Sequence, residues 1–223
     1  MTPTLRSLLV VSAAAWALPA LAAGSLLNVS YDVSRDFYKD YNPLFQKYWK
    51  AKSGESLELK QSHAGSSKQV RAVADGLEAD VVTMNQASDV DYLAEKGLVA
   101  KDYAKKFSGN ASPYTSTMVF IVRKGNPKAL RDWPDLTQTG VQVILPHPKN
   151  TGNGRYTYLA AWGYALKQPG GSDKSAQDFV GKLLQNAPLF AAGGRDATTT
   201  FMQRRLGDVL VTFESEAELI AKE

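Results

Sequence analysis

From about residue 26 onward, short apolar segments alternate with longer segments whose apolar residues recur every three or four positions. The short segments predict buried strands, and the longer ones predict amphipathic helices. The predicted strands cover 26–31, 56–61, 80–84, 117–122, 142–145 and 208–212. The predicted helices lie around 37–48, 70–77, 90–96, 158–166, 176–184 and 198–204. Such alternation is typical of α/β folds in which parallel strands are joined by crossover helices.

The N-terminal segment has a different pattern. A single cation, Arg6, precedes the apolar run 8–18, and small residues follow up to Ala22 and Ala23. This order is typical of a signal peptide, and the apolar run is too short to span a bilayer. We therefore expect residues 1–23 to be a signal peptide that is cleaved near Ala22 or Ala23, and the mature protein to reside in the periplasm. The pattern after residue 23 predicts no membrane insertion.

Composition excludes several classes of function. The net charge is +4, and removal of residues 1–23 would leave 25 cationic against 22 acidic side chains. These charges are scattered, whereas a nucleic-acid-binding protein clusters its cations on one face. The absence of cysteine excludes disulfides and thiolate metal sites. The two histidines, His63 and His147, are far apart, so neither a metal site nor a cofactor is predicted.

Three short loops rich in Gly, Ser and Thr are the candidate binding features. They cover 64–67, 151–154 and 193–198, and each precedes a predicted helix. The start of a helix has unpaired backbone N–H groups and a partial positive charge, and glycine lets an anion approach closely. A single loop of this kind is weak evidence because ordinary helix caps look the same. None of the three has the Gly-Lys-Ser/Thr pattern of a nucleotide-binding loop.

Residue patterns for catalysis are sparse, and no catalytic residue is predicted. Ser62 and Ser66 lack the Gly-x-Ser-x-Gly pattern of a nucleophile elbow. The acids Glu214, Glu216 and Glu218 are expected on a solvated helix. We therefore expect a binding protein rather than an enzyme.

Several stretches resemble a known family across residues 26–223. They include 26–32 (LLNVSYD), 61–69 (QSHAGSSKQ), 155–163 (RYTYLAAWG) and 207–216 (GDVLVTFESE). In this order they resemble the periplasmic sulfate- and thiosulfate-binding proteins of ABC uptake systems. The resemblance implies a two-lobed α/β structure, the type II periplasmic-binding-protein fold.

The resemblance also implies the division of the chain and the residues of the binding site. Lobe 1 would cover 24–113 and lobe 2 would cover 114–223, with the anion held in the cleft between them. The implied contacts are the backbone N–H groups of Asp32, Ser66, Gly152, Asn153 and Gly194, together with the hydroxyl of Thr151. A site made only of donors would reject a protonated oxyanion such as hydrogen phosphate, because its hydrogen would find no acceptor.

The implied function is capture of thiosulfate and/or sulfate by a monomeric protein that delivers the anion to an inner-membrane ABC permease. Phe213 stands where the sulfate-specific branch of the family has a tryptophan, so the chain is more similar to the thiosulfate-binding branch. Asp196 replaces a common glycine and is expected to face solvent or Arg195. Two alternatives stay open: a carrier of another tetrahedral anion such as phosphate or molybdate, and an exported sulfate-ester hydrolase.

Family members continue beyond the position that matches Glu223. We therefore expect the chain to be truncated at its C-terminus and the fold to be incomplete there. The function inferred above is that of the intact parent protein.

Overall fold

A computed structural model describes residues 24–221 of the chain. The predicted signal peptide and its cleavage site lie outside the described residues. No helix within the described range is long and apolar enough to cross a membrane.

The first part of the described chain forms a three-stranded parallel sheet in the order β2-β1-β3. Its strands are β1 (Gly24–Tyr31), β2 (Leu57–Ala64) and β3 (Val81–Thr83). Tyr31 lies opposite Ala64 in the register, so these two strands end side by side. The residues that follow β1 and β2 therefore emerge at the same edge of the sheet.

Helices connect the strands of this sheet: α1 (Arg35–Ser53), α2 (Ser66–Ala74) and α3 (Ala87–Glu95). Val29 of β1 packs against Val70 and Val73 of α2 and Leu93 of α3. Helix α1 buries none of its residues fully, although its apolar residues recur at helical spacing. A short helix α4 (Tyr103–Lys106) follows before the chain passes to the second sheet.

The second sheet has four strands in the order β4-β7-β5-β6. They are β4 (Met118–Val122), β5 (Val143–Pro146), β6 (Phe190–Ala191) and β7 (Val209–Phe213). Every residue of β5 and β7 is buried, as expected for central strands covered on both faces. The pairings of β5 with β6 and with β7 are parallel, whereas β4 runs antiparallel to β7.

Four helices flank the second sheet. They are α5 (Gly152–Leu166), α6 (Asp173–Gln185), α7 (Gly194–Met202) and α8 (Glu214–Ile220). One apolar cluster on this sheet includes Val143, Leu145, Ala161 and Leu183. A second cluster includes Phe201, and its strand residues alternate along the sequence with those of the first cluster.

The structure confirms the predicted α/β class and each predicted strand and helix, with bounds that move by a few residues. The predicted parallel arrangement is wrong for β4, because hydrophobic alternation carries no information on strand direction. Strand β6 and helix α4 were not predicted. They contain two and four residues, too few for a period to be recognised.

Candidate anion-binding cleft

One cavity brings together residues from both sheets. All seven predicted binding residues line it: Asp32, Ser66, Thr151, Gly152, Asn153, Gly194 and Phe213. Four further residues complete the lining: Tyr31, Val33, Gly65 and Asn85. The open space at its centre is about that of a single water molecule. The three loops selected from the sequence therefore meet at one place, which linear spacing alone does not require.

The topology explains why these residues meet. Asp32 follows the end of β1, and Gly65 follows the end of β2 at the same edge of the first sheet. In the second sheet, Gly194 lies just beyond β6, and Phe213 is the last residue of β7. In open α/β sheets the crevice outside the carboxyl ends of parallel strands is the usual place for a ligand.

Three helices begin at this cavity. Ser66, Gly152 and Gly194 are the first residues of α2, α5 and α7, which are nine, fifteen and nine residues long. Each helix start has backbone N–H groups without intrahelical partners and the positive end of a helix dipole. Their convergence brings the positive ends of three helix dipoles to one cavity, whose lining among the described residues contains no cationic side chain.

Two glycines allow the walls of the cleft to approach closely. A Cβ atom on Gly152 would lie 1.8 Å from the Oδ1 atom of Asn85, and one on Gly65 would lie 2.7 Å from the carbonyl oxygen of Asn150. Both contacts join elements of the first sheet to elements of the second. A side chain at position 65 would meet backbone and hold the two walls apart, whereas one at position 152 would displace the Asn85 amide.

Thr151 has a structural role in the described conformation. Its hydroxyl accepts a hydrogen bond from the Gly154 N–H at 3.0 Å and donates to the His147 carbonyl at 2.9 Å. The first contact caps the N-terminus of α5. Because a hydroxyl has one hydrogen, the predicted donation from Thr151 to an anion requires that the bond to His147 be released.

Two arginines pair with carboxylates across the cleft. Arg155, in the first turn of α5, contacts Asp89 of α3, and the Ser66 hydroxyl donates to the same carboxylate oxygen. Arg195, in the first turn of α7, contacts Asp36 of α1. Each arginine follows a glycine loop that lines the cavity. These ion pairs therefore connect the two walls directly behind the loops.

The carboxylate of Asp32 is directed toward donors of the protein. Its Oδ2 atom accepts a hydrogen bond from the Arg195 backbone N–H at 2.9 Å, and its Oδ1 atom lies 3.7 Å from the Arg35 guanidinium. Burial and the hydrogen bond with Tyr114 raise the pKa of the neighbouring Tyr31 hydroxyl far above its usual range. Tyr31 is therefore neutral at physiological pH and adds no negative charge to the lining.

Asp196 differs from both predicted alternatives. Its Oδ2 atom accepts a hydrogen bond from the Ala192 N–H at 2.9 Å. The side chain thus bonds the loop that precedes α7, rather than pointing only to solvent or pairing with Arg195. A carboxylate in the first turn of a helix is also favoured by the helix dipole.

The expectation that Glu216 lies on a solvated surface is wrong. Glu214 and Glu218 are exposed, but Glu216 is fully buried. Its Oε2 atom accepts from the Thr198 hydroxyl at 3.0 Å and lies 3.8 Å from Arg195 Nη1, while Oε1 has no hydrogen-bond partner among the described residues. Burial raises the pKa of this carboxyl, and the contacts with Thr198 and Arg195 oppose that shift only in part.

Replacing Glu216 by glutamine should therefore stabilise the protein at neutral pH. The raised pKa means that the wild-type protein loses stability as pH rises above the ordinary carboxyl value of 4.5, whereas glutamine does not ionise. Urea unfolding from pH 4 to pH 8 would measure the difference. We expect the advantage of Glu216→Gln to grow with pH and that of Glu218→Gln, an exposed control, to stay flat; a glutamine variant that is less stable at pH 8 would contradict the argument.

Asn85 was not predicted from the sequence. It follows β3, whose parallel pairing with β1 brings it to the same edge as Asp32 and Gly65. A polar residue directly after the predicted strand 80–84 was the only signal, and it is a weak one. The Asn85 amide carries both an acceptor, Oδ1, and a donor, Nδ2, and the expectation that the site presents only donors to the anion stays a prediction.

Comparison with known proteins gives the family. Residues 29–223 match the family described as bacterial extracellular solute-binding protein, and the chain belongs to that family. It is 65% identical over 205 residues to a thiosulfate-binding protein of Pseudomonas aeruginosa, covering 92% of this chain and 61% of the relative. It is 50% identical over 198 residues to a sulfate-binding protein of Escherichia coli, covering 89% of this chain and 60% of the relative.

A solved structure gives the same result. The sulfate-binding protein SubI from Mycobacterium tuberculosis superimposes with a TM-score of 0.80 at 32% identity, covering 89% of this chain and 68% of that protein. The similarity confirms the predicted family and its α/β solute-binding fold. The chain spans about 60% of the length of the two relatives described above.

Proposed function

We propose that this chain is the anion-capturing part of an extracellular solute-binding protein that binds thiosulfate and/or sulfate. The observation that carries the proposal is the single cavity lined by three helix N-termini from two sheets. The relatives named above are binding proteins for these anions, which supports the assignment. Their names also argue against the alternative of a sulfate-ester hydrolase.

The physical task is to remove a dianion from water without a facing cation. Burial of an unpaired charge is prohibitively costly, so the water shell must be replaced by donors. The backbone N–H groups of Asp32, Ser66, Gly152, Asn153 and Gly194 would supply them. Within each sheet their positions are fixed by the strands and helices described above, so the donors of each wall are arranged before the two walls close on the anion.

The arrangement further suggests how capture is signalled. We propose that the two sheets belong to two lobes, 24–113 and 114–223, which close on the anion and are held together by the pairs Arg155–Asp89 and Arg195–Asp36. The closed form, in the periplasm, would be recognised by the membrane permease of an ABC importer.

Phe213 is proposed to set the preference between the two anions. It is 7% exposed, lines the cavity and packs edge to face against Tyr156 with ring centroids 5.8 Å apart. A phenyl ring offers no N–H donor, so it suits the weakly accepting sulfur of thiosulfate better than a fourth oxygen. The unsubstituted protein should therefore bind thiosulfate at least as well as sulfate.

Phe213→Trp is expected to shift the preference toward sulfate by the value of one hydrogen bond to a charged group, about 1.5–3 kcal/mol at most. Close packing against Tyr156 should remove part of that gain because the indole is larger. Titration of both anions into both proteins gives the ratio of dissociation constants. A ratio that does not change would mean that Phe213 only fills space.

Competition calorimetry on the full-length protein tests the proposed function. Thiosulfate, sulfate, phosphate and molybdate are titrated separately and then in pairs. We expect thiosulfate and sulfate to bind at the same site and to displace each other. Exclusive binding of phosphate or molybdate would assign the protein to a different anion, and turnover of a model sulfate ester would overturn the binding role.

A further inference from the structure

We propose that Asn85 is a further ligand-contacting residue, whose side-chain amide donates a hydrogen bond to the bound oxyanion. The inference rests on the proposed function and assigns one more side chain to the same cavity. It begins from an unsatisfied atom: the Oδ1 atom of Asn85 is buried and has no hydrogen-bond partner within residues 24–221. A buried polar atom without a partner costs about 1–3 kcal/mol, so it calls for an explanation.

The position of Asn85 supplies that explanation. The residue lines the cavity, and its amide group lies against the Cα atom of Gly152, where a Cβ would be 1.8 Å from Oδ1, 2.4 Å from Cγ and 2.4 Å from Nδ2. Gly152 is the first residue of α5 and one of the expected anion contacts. The Asn85 amide therefore lies beside the helix start that would receive the anion.

The backbone of Asn85 is fixed, whereas its side chain is not. The carbonyl oxygen of Asn85 accepts a hydrogen bond from the Tyr156 hydroxyl at 2.9 Å, and the Tyr156 ring packs on Phe213. The Oδ1 atom of Asn153, the other amide in the lining, also has no partner among the described residues, but that side chain is held by a hydrogen bond from its Nδ2 atom to Thr212 at 3.2 Å. No hydrogen bond fixes the Asn85 amide in this way among the described residues.

Rotation of the amide by half a turn exchanges its acceptor for its donor without changing its shape. A fully deprotonated tetrahedral anion presents only acceptors, so it favours the orientation in which the Asn85 NH2 group faces it. A protonated oxyanion can instead donate to Oδ1. Asn85 thus supplies a side-chain donor to a cavity in which Phe213 offers none.

Titration of thiosulfate into the full-length protein tests this role. Asn85→Ala is expected to weaken binding by about tenfold to a hundredfold, the effect of losing one hydrogen bond to a charged ligand. Asn85→Asp keeps the shape of the side chain but accepts only and repels a dianion, so its loss should be at least as large. Ser88→Ala, an exposed substitution near the start of α3, serves as the control and should bind like the unsubstituted protein.

A spectroscopic measurement on the unsubstituted protein separates ligand contact from packing. The side-chain NH2 signals of Asn85, assigned by their absence in Asn85→Ala, should shift to higher proton frequency when thiosulfate is added. Unshifted signals would overturn the inference, as would an Asn85→Ala variant that binds thiosulfate as tightly as the unsubstituted protein. If the unsubstituted protein binds no tetrahedral anion, the proposed function fails as well, so the two failures can be distinguished.

Discussion

Replacing Gly152 by valine is expected to abolish anion binding. The added Cβ would come within 1.8 Å of the Asn85 amide and would push that side chain out of its place beside the start of α5. The branched side chain would also block access to the backbone N–H groups at the start of α5. Overpacking of this kind costs about 1–3 kcal/mol or more, and the lost access adds to it, so we expect affinity to fall by at least about a hundredfold.

A second glycine on the same helix provides the matched control. Gly163 lies on α5, and a Cβ there would meet no atom within 4 Å. Valine has no lower helix propensity than glycine, so Gly163→Val should fold and bind normally. Calorimetry with thiosulfate on both variants checks the prediction. Undiminished affinity in Gly152→Val would show that the loop 151–154 is an ordinary helix cap.

Replacing Asp89 by alanine is expected to have the largest effect on stability. Asp89 is 4% exposed. Its carboxylate forms an ion pair with the Arg155 guanidinium and accepts a hydrogen bond from the Ser66 hydroxyl. Removing it leaves a partly buried cation and a buried hydroxyl without their partner. Breaking a buried pair costs about 3–5 kcal/mol, and the partial exposure of Arg155 favours the lower end of that range.

The exposed pair Lys174–Asp178 on α6 is the control for this experiment. Surface pairs contribute little, so Asp178→Ala should change the free energy of unfolding by no more than about 0.5 kcal/mol. Urea unfolding measures both variants. Asp89→Ala should also weaken thiosulfate binding, because Ser66 lines the cavity. Equal stability of the two variants would contradict the proposal that the Arg155–Asp89 pair links the two walls of the cleft.

The sequence was sufficient to predict the longer strands and helices because their periods are strong, whereas β6 and α4 were too short to be recognised. The predicted binding residues came from three glycine loops and from the resemblance to a family, and the structure places all seven around one cavity. Their meeting depends on strand order, which periodicity does not contain. The antiparallel pairing of β4 with β7 was missed for the same reason.

The remaining errors concern tertiary contacts. Glu216 has the local pattern of a solvated helix, yet the packing of α8 against the second sheet buries it beside Arg195. Asn85 and Asp89 lie on a segment without glycine, so no local motif marks them. Their roles depend on residues more than sixty positions away, Gly152 and Arg155, and only the folded chain brings these pairs together.

The most direct test of the account is a crystal structure of the full-length protein grown with thiosulfate, in which the anomalous signal of sulfur locates the anion. We expect one anion enclosed by Asp32, Ser66, the loop 151–153 and Gly194, with its terminal sulfur toward Phe213 and the NH2 group of Asn85 within hydrogen-bond distance of an oxygen. An anion bound outside this cavity, in a protein that calorimetry shows to be saturated, would contradict the account.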